Sequence, residues 1–320
     1  MTRELTSMEE ELAKAPAIVR PSKMWEILST VHEQTLDLEI FKENIAQHYF
    51  TFKPDRRNHQ YRYVRRNAPL LSQFCALFRK QEHRFTYLIW EYLRTQVPRS
   101  WLKLREPQFG SPYNVRWRGG FVTQDLGNAL LEVDSVAREA KNFNSVLEIG
   151  GGYGRTAYAY LSLFPSLKYI CCDITPALYI AQSYLKKIFP HRKIFLFRPF
   201  SHYEEIQKEF EAADIAFLLP HQLKMLPDRS VDLGINISSL HEMTRAQIAY
   251  YFGEYARLCG RYFYFKEWKE GPNPYDHLII KKEEYPIPLQ WREIYSRSCR
   301  IQTKFFESLY ETSLCSAMNS

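Results

Sequence analysis

At 320 residues the chain is long enough for one large domain plus a smaller one. Its 45% hydrophobic and 15% aromatic content excludes bulk disorder, and no apolar stretch approaches the roughly 20 residues of a membrane-spanning helix. A net charge of +7 hints at an anionic partner but falls short of the continuous basic surface that a structured RNA requires.

Met1 to Lys14 is acidic and helical in character, unlike the basic, apolar start of a secretory signal. The six cysteines form no C-x-x-C pair, and a reducing, cytoplasmic setting is the simplest expectation. Met24 to Tyr49 carries apolar residues at mixed helical spacings, which predicts one broken or two packed helices. Leu70 to Val97 repeats the pattern with Leu71, Phe74, Leu77, Phe78, Phe85, Leu88, Ile89, Trp90 and Leu93, and both aromatic stripes read as core. Between them, Lys53 to Arg66 interleaves basic residues with Tyr61, Tyr63 and His59, a composition that grips phosphates or remains a solvated loop. Residues 1–106 are thus expected to be a helical N-terminal domain, serving as substrate lid or oligomerisation surface, ahead of a catalytic domain over 107–320.

Pro107 to Gly127 is broken by Pro and Gly, with Arg116-Trp117-Arg118 and Thr123-Gln124-Asp125 beside the break, and Leu126 to Ala140 is a plausible helix. Next comes Val146-Leu147-Glu148-Ile149, then Gly150-Gly151-Gly152-Tyr153-Gly154, which holds four of the chain's 12 glycines. A helix over Arg155 to Phe164 and a second apolar run, Leu167 to Cys172, end on Asp173. Strand, glycine turn, helix, strand and acid make the first half of a nucleotide-binding α/β unit. Gly152-x-Gly154-x-x-Ala157 also satisfies the relaxed dinucleotide fingerprint, so a nicotinamide or flavin remains open at this point. Glu148 argues otherwise, because a carboxylate at the strand mouth repels a pyrophosphate and suits a ligand with cationic groups.

The C-terminal half supplies further strands: Lys193 to Arg198, Asp214 to Pro220, Val231 to Ile237 and Arg261 to Trp268. Thr244 is the expected N-cap of a helix from Arg245 to Cys259. After Gly271-Pro272-Asn273-Pro274, a segment with Leu278-Ile279-Ile280, a helix near Trp291 and a last strand near Ile301 to Phe306 complete the expectation. Alternating strands and helices predict an α/β, doubly wound, mostly parallel sheet. Ligands there sit beyond the carboxyl ends of the strands, which carry Glu148, the glycine loop, Asp173, His221 and the Ser238 to Glu242 turn.

The segment from Glu148 to Asp173 resembles motif I of the class I S-adenosylmethionine (SAM)-dependent methyltransferases, a Rossmann-like family. Val231 to Met243 behind Glu-Ile-Gly-Gly-Gly-Tyr-Gly, with Tyr285-Pro286-Ile287-Pro288, Trp291 and Phe306 to Tyr310, is similar to a sugar O-methyltransferase family over roughly Pro107 to Tyr310. The resemblance implies SAM as cofactor, held by Glu148, Gly150, Gly151, Gly152, Tyr153, Gly154, Asp173 and Ile174, with His221 and Asn236 completing the set. It makes the segment before the first strand a substrate gate, with Arg118, Thr123, Gln124, Asp125 and Ser239 as acceptor contacts. The acceptor is a sugar hydroxyl of a nucleotide-linked sugar or bacterial glycan, so the partner is a sugar-containing, anionic molecule, nucleic acid is disfavoured, and self-association stays open.

A sugar hydroxyl needs a base during attack on a methyl carbon. His241 is the expected base, its imidazole being available near neutral pH, and Glu242 the orienter or hydroxyl acceptor, with the two roles exchangeable. His241-Glu242-Met243-Thr244-Arg245 lacks the second histidine of a zinc-protease motif, and no acidic cluster has divalent-metal spacing. Asn236-Ile237-Ser238-Ser239 stands where an amino-methyltransferase carries Asn/Asp-Pro-Pro-Tyr, which favours oxygen as acceptor. Rival readings are a methyltransferase of RNA or another small molecule, and a catalytically inactive binding module.

Overall fold

Apolar runs that are buried on both faces form the centre of the computed structural model, which describes residues 2–34, 36–44 and 59–313. Four such runs are β3 (Ser145–Ile149), β4 (Lys168–Cys172), β6 (Ile215–Leu218) and β7 (Val231–Ile237), whose near-continuous burial is the mark of parallel strands covered on both sides. With β5 (Ile194–Phe195), β8 (Cys259–Trp268), β11 (Arg292–Ser298) and β12 (Phe305–Glu311) they build an eight-stranded sheet in the order β11-β12-β8-β7-β3-β4-β6-β5. The six strands from β8 to β5 are mutually parallel, while β12 runs antiparallel to β8 and to β11. From β3 the chain winds outward through β4, then returns past β3 to β7, so the winding reverses between β3 and β7. This is a Rossmann-like, doubly wound fold, and the reversal marks its ligand crevice.

Ten helices are described: α1 (Arg3–Lys14), α2 (Lys23–Gln34), α3 (His59–Asn67), α4 (Leu70–Leu77), α5 (Gln81–Leu93), α6 (Gln124–Ala137), α7 (Arg155–Leu163), α8 (Ala177–Ile188), α9 (Gln207–Ala212) and α10 (Arg245–Leu258). Thr2, Thr123 and Thr244 cap α1, α6 and α10 through their hydroxyls, satisfying an N–H that the first turn leaves free. The helices before residue 106 share one continuous hydrophobic core with the sheet, from Leu5 and Met8 through Trp90 to Tyr310. Lys42 ties this region down by an ion pair of 2.5 Å with Glu106, both buried.

Two short hairpins lie off the main sheet: β1 (Val115–Trp117) with β2 (Gly120–Val122), and β9 (Glu270–Asn273) with β10 (Leu278–Lys281). The first turns at Arg118-Gly119, both with positive φ, the geometry of a tight two-residue hairpin turn. The expected helix near Trp291 is instead the entry to β11, because Pro286 and Pro288 block a helix and residues 292–298 find strand partners in β12. The last strand correspondingly begins at Phe305, not Ile301. The core reading of the Leu70 stripe fails for its first half. Leu88, Ile89, Trp90 and Leu93 are fully buried, whereas Leu71, Phe74, Leu77 and Phe78 are exposed. Lys53 to Asn58 lies outside the described residues, as do Ile45 to Tyr49 of the first stripe.

Candidate active site

A cavity of about 580 Å³ opens at the switch point, at the carboxyl ends of β3, β4 and β7. Gly150 bridges the two halves of the sheet. Its φ is +77°, its N–H donates to the Cys172 carbonyl at 2.8 Å, and a Cβ there would lie 2.0 Å from the Ser239 hydroxyl. Only glycine lets the β3 loop approach the β7 loop this closely. Gly152, at φ +56°, has nothing within 4 Å of where its Cβ would sit, so its backbone borders open cavity. Its N–H donates to Asp173 Oδ2 at 2.8 Å, while the Ile174 N–H donates to Oδ1 at 2.7 Å. Burial pushes Asp173 up to about 7 against the pull of these two donors. Glu148 forms the floor beneath the loop, with Oε2 accepting the Tyr169 hydroxyl at 2.8 Å, and burial raises it to about 7 as well. A glycine cradle open to the cavity and two carboxylates below it suit a ligand with a nucleoside part and cationic groups, as SAM has.

His241 lies in the cavity wall, on the short 3₁₀ turn Leu240–Glu242 that follows β7. Its Nδ1 is 2.9 Å from Oε2 of Glu267, a fully buried carboxylate on β8. The other oxygen of Glu267 accepts the backbone N–H groups of Ser239 and Leu240 at 2.8 and 2.7 Å, which fixes the carboxylate. An acceptor held this way requires Nδ1 to carry the proton, leaving a lone pair on Nε2. Burial by itself lowers the His241 pKa, but the charge and hydrogen bond of Glu267, helped by Glu242, outweigh it and raise it. The group that orients His241 is therefore Glu267 and not Glu242. Glu242 keeps Oε1 at 3.9 Å from Nε2, and its Oε2 accepts the indole N–H of Trp25 at 2.7 Å. Burial raises Glu242 to about 7, opposed first by His241 and then by Trp25.

The N-terminal region roofs the cavity through three polar ties. Besides Trp25, the Ser22 hydroxyl donates to the Glu242 carbonyl at 2.6 Å, and Gln247 Nε2 donates to the Arg20 carbonyl at 2.7 Å. The opposite end holds a buried trio. Glu132 on α6 is 2.9 Å from Arg155 Nη1 at the start of α7 and 2.6 Å from Lys266 Nζ on β8. Burial acts to raise Glu132, yet Arg155 and Lys266 together hold it below its ordinary value. Lys266 also bonds Gln302. Trp268 and Phe305 form an aromatic pair 4.5 Å apart in the same wall, with Trp268 6.2 Å from His241.

Of the residues expected from sequence, Glu148, Gly150, Gly151, Gly152, Tyr153, Asp173, Ile174, Gln124, Asp125, Ser239, His241 and Glu242 all line this cavity. Asp125 accepts the Tyr153 hydroxyl at 3.3 Å and is raised by burial to about 6. Five others do not line it. Gly154 starts α7 at φ +87° and packs toward Leu185. Asn236 donates from Nδ2 to the Ile149 carbonyl at 2.8 Å, stapling β7 to β3. His221 lies outside the lining, half-buried, and burial depresses its pKa. Thr123 caps α6 and donates to Glu106 at 2.7 Å. Arg118 borders a separate cleft with Arg99, Lys103 and Arg105, 3.7 Å from Glu91. Sequence reading missed Trp25, Glu132, Arg155, Lys266, Glu267, Trp268 and Gln302. A signal existed for two of them: Lys266-Glu267 is an adjacent pair of charges at the carboxyl end of an aromatic strand, where an unpaired charge is costly. Among the described residues no group of His, Cys, Asp and Glu is arranged to hold a metal ion.

The chain matches no family model, and no curated protein matches it significantly. Solved structures similar to it include the PH0226 protein from Pyrococcus horikoshii OT3, at 12% identity and a TM-score of 0.43 over 59% of this chain and 92% of that one. A SAM-dependent methyltransferase from Aquifex aeolicus gives 16% identity and 0.36 over 57% and 91%. An rRNA methylase from Escherichia coli gives 15% identity and 0.37 over 57% and 64%. The Rossmann-like assignment itself rests on the strand order and its switch point.

Proposed function

We propose that the protein is a SAM-dependent O-methyltransferase acting on a sugar hydroxyl, of a nucleotide-linked sugar or a glycan, with residues 1–106 as the lid over the site. The observation that carries this reading is that one cavity joins a glycine cradle and Asp173 to a histidine whose Nδ1 is bonded to a buried carboxylate. Asp173 is the acceptor for ribose hydroxyls, the open backbone at Gly152 lets the cofactor approach the loop closely, and Glu148 balances its positive charge. Bound there, SAM supplies an electrophilic methyl carbon.

The chain's own residues do the remaining work. His241 Nε2 takes the acceptor's hydroxyl proton, and Glu267 stabilises the imidazolium that results while keeping the ring in its tautomer. Its raised pKa makes His241 a stronger base at the cost of a smaller neutral fraction near pH 7. Trp268 and Phe305 offer a flat face to the C–H side of a sugar ring, and Asn128, Lys266 and Gln302 offer polar groups to its hydroxyls. Arg20 and Lys266 are cations in the same wall for an anionic substituent, whereas Arg62, Arg65 and Arg66 of the basic segment point to solvent. The Trp25 and Ser22 bonds to Glu242 close the lid over this chemistry and exclude water.

The test is transfer of labelled methyl from SAM to a panel of nucleotide-linked and free sugars. Label on a sugar oxygen, reduced about a hundredfold or more in His241→Ala with cofactor binding retained, is the expected result. Label on RNA, or transfer that His241→Ala leaves unchanged, overturns it.

A further inference from the structure

Helix α4 is built inside out. Its inward side carries Ser72 and Ala76, both buried, and the Ser72 hydroxyl donates to Glu91 Oε2 at 2.7 Å. Its large apolar side chains face solvent: Leu70 is 84% exposed, Leu71 75%, Phe74 58% and Leu77 46%, and Phe78 just beyond the helix is 78%. Phe74 and Phe78 pack edge to face on this outer surface, 5.2 Å apart. A contiguous exposed apolar patch of this kind marks an interaction surface, because packing among the described residues gives no reason to turn Leu and Phe outward and Ser inward.

Charge identifies what meets it. Residues 53–84 contain nine Lys and Arg against two acidic residues, a balance of +7, which equals the net charge of the whole chain. The other 288 residues are therefore electrically neutral, with 34 basic and 34 acidic side chains. Lys80, two residues beyond Phe78, is exposed beside the apolar face, and Arg62, Arg65 and Arg66 are exposed on α3, the helix that precedes α4. Arg79 and Arg84 are held there as well, Arg79 by the Arg116 carbonyl and Arg84 by the carbonyls of Arg79 and Leu77. An apolar face of Leu and Phe rimmed by Lys and Arg is the pattern that enters the headgroup region of an anionic bilayer.

We infer that the outer face of α4 with its basic rim docks the protein onto the surface of a membrane containing anionic phospholipid. A second copy of the chain fits less well, because a face-to-face pair brings two rims of the same sign together. A nucleic acid fits the charge and could stack on Phe74 and Phe78, but it leaves Leu70, Leu71 and Leu77, the aliphatic part of the face, without a partner. The link to the site is α3, which carries these exposed arginines and also contributes Gln60 and Tyr61 to the cavity wall.

The experiment is co-sedimentation of the full chain with vesicles of phosphatidylcholine alone or with about one third phosphatidylglycerol, at low and high salt. Binding only to the anionic vesicles, weakened by salt and reduced about tenfold or more in Leu71→Glu/Phe74→Glu/Phe78→Glu, is the expected result. The circular dichroism and melting temperature of the variant stay unchanged, since these side chains are exposed. Vesicle binding equal in wild type and variant, or none at all, overturns the inference. So does a wild-type dimer in solution that the triple variant splits, or a polynucleotide affinity that the triple variant lowers.

Discussion

Glu267 and His241 stand 2.9 Å apart across the carboxyl ends of neighbouring parallel strands, the carboxylate on β8 and the imidazole on the turn after β7. The pairing is a product of the parallel register, in which Asn236 and Ile237 face Phe265 and Lys266, so that the next residues of both strands meet at the crevice. Replacing Glu267 by Gln removes the charge that does most to raise His241 and leaves only Glu242 to oppose burial. The acid-side limb of the rate profile, on which neutral His241 forms, then moves to lower pH, and kcat falls about tenfold to a thousandfold with little change in cofactor affinity. A pH–rate profile of wild type against Glu267→Gln checks this, since a purely structural Glu267 would lower stability without moving the limb.

Asp173 and Glu148 are both raised by burial to about 7. Ionised carboxylates are the form that binds a cationic cofactor, so SAM affinity rises with pH up to about 7 and levels off above it. The slope is at most about tenfold per pH unit for each titrating group. Isothermal titrations between acid and neutral pH measure it, and Asp173→Asn flattens the dependence.

Gly150→Ala meets two obstacles, a positive φ and the Ser239 hydroxyl 2.0 Å from the new Cβ. The substitution costs about 1–3 kcal/mol from backbone strain before the clash is counted. Combining it with Ser239→Gly relieves the clash but not the strain, so chemical denaturation should show a partial recovery of stability.

Trp25 joins the lid to the site through its bond to Glu242. Trp25→Phe keeps the ring and loses that bond, which removes a contribution that holds the Glu242 pKa down and costs about 1 kcal/mol or somewhat more. Faster hydrogen exchange over α2, with the sheet unaffected, is the expected readout.

Lys266→Met leaves Glu132 with Arg155 as its remaining cation. Because Glu132 keeps one cation, losing the charged hydrogen bond to Lys266 costs about 1.5–3 kcal/mol, and thermal unfolding measures it.

The parallel strands were legible because they are local apolar runs ended by glycine, acid or proline, and Thr244 announced α10 to the residue, whereas β11 carries no such run and read as a helix. The glycine cradle and Asp173 were legible for the same reason, lying within one β-turn-α-β unit. Glu267, Lys266 and Glu132 were not, since they reach the site from β8 and α6 and only the folded sheet brings them beside His241 and Arg155. Glu242 looked like the partner of His241 because it adjoins it in sequence, but it reaches only to 3.9 Å from Nε2, and the hydrogen-bonded partner at Nδ1 comes from the next strand. The aromatic stripe at Leu71 to Phe78 has the spacing of a core helix, and spacing cannot say which side of the helix meets the protein.

Calorimetric titration with S-adenosylhomocysteine, and separately with NAD(H), on wild type and Asp173→Ala tests the central claim most directly. Micromolar binding of S-adenosylhomocysteine that is lost in the variant is the predicted result. Binding of NAD(H) in its place, or of neither ligand, would contradict it.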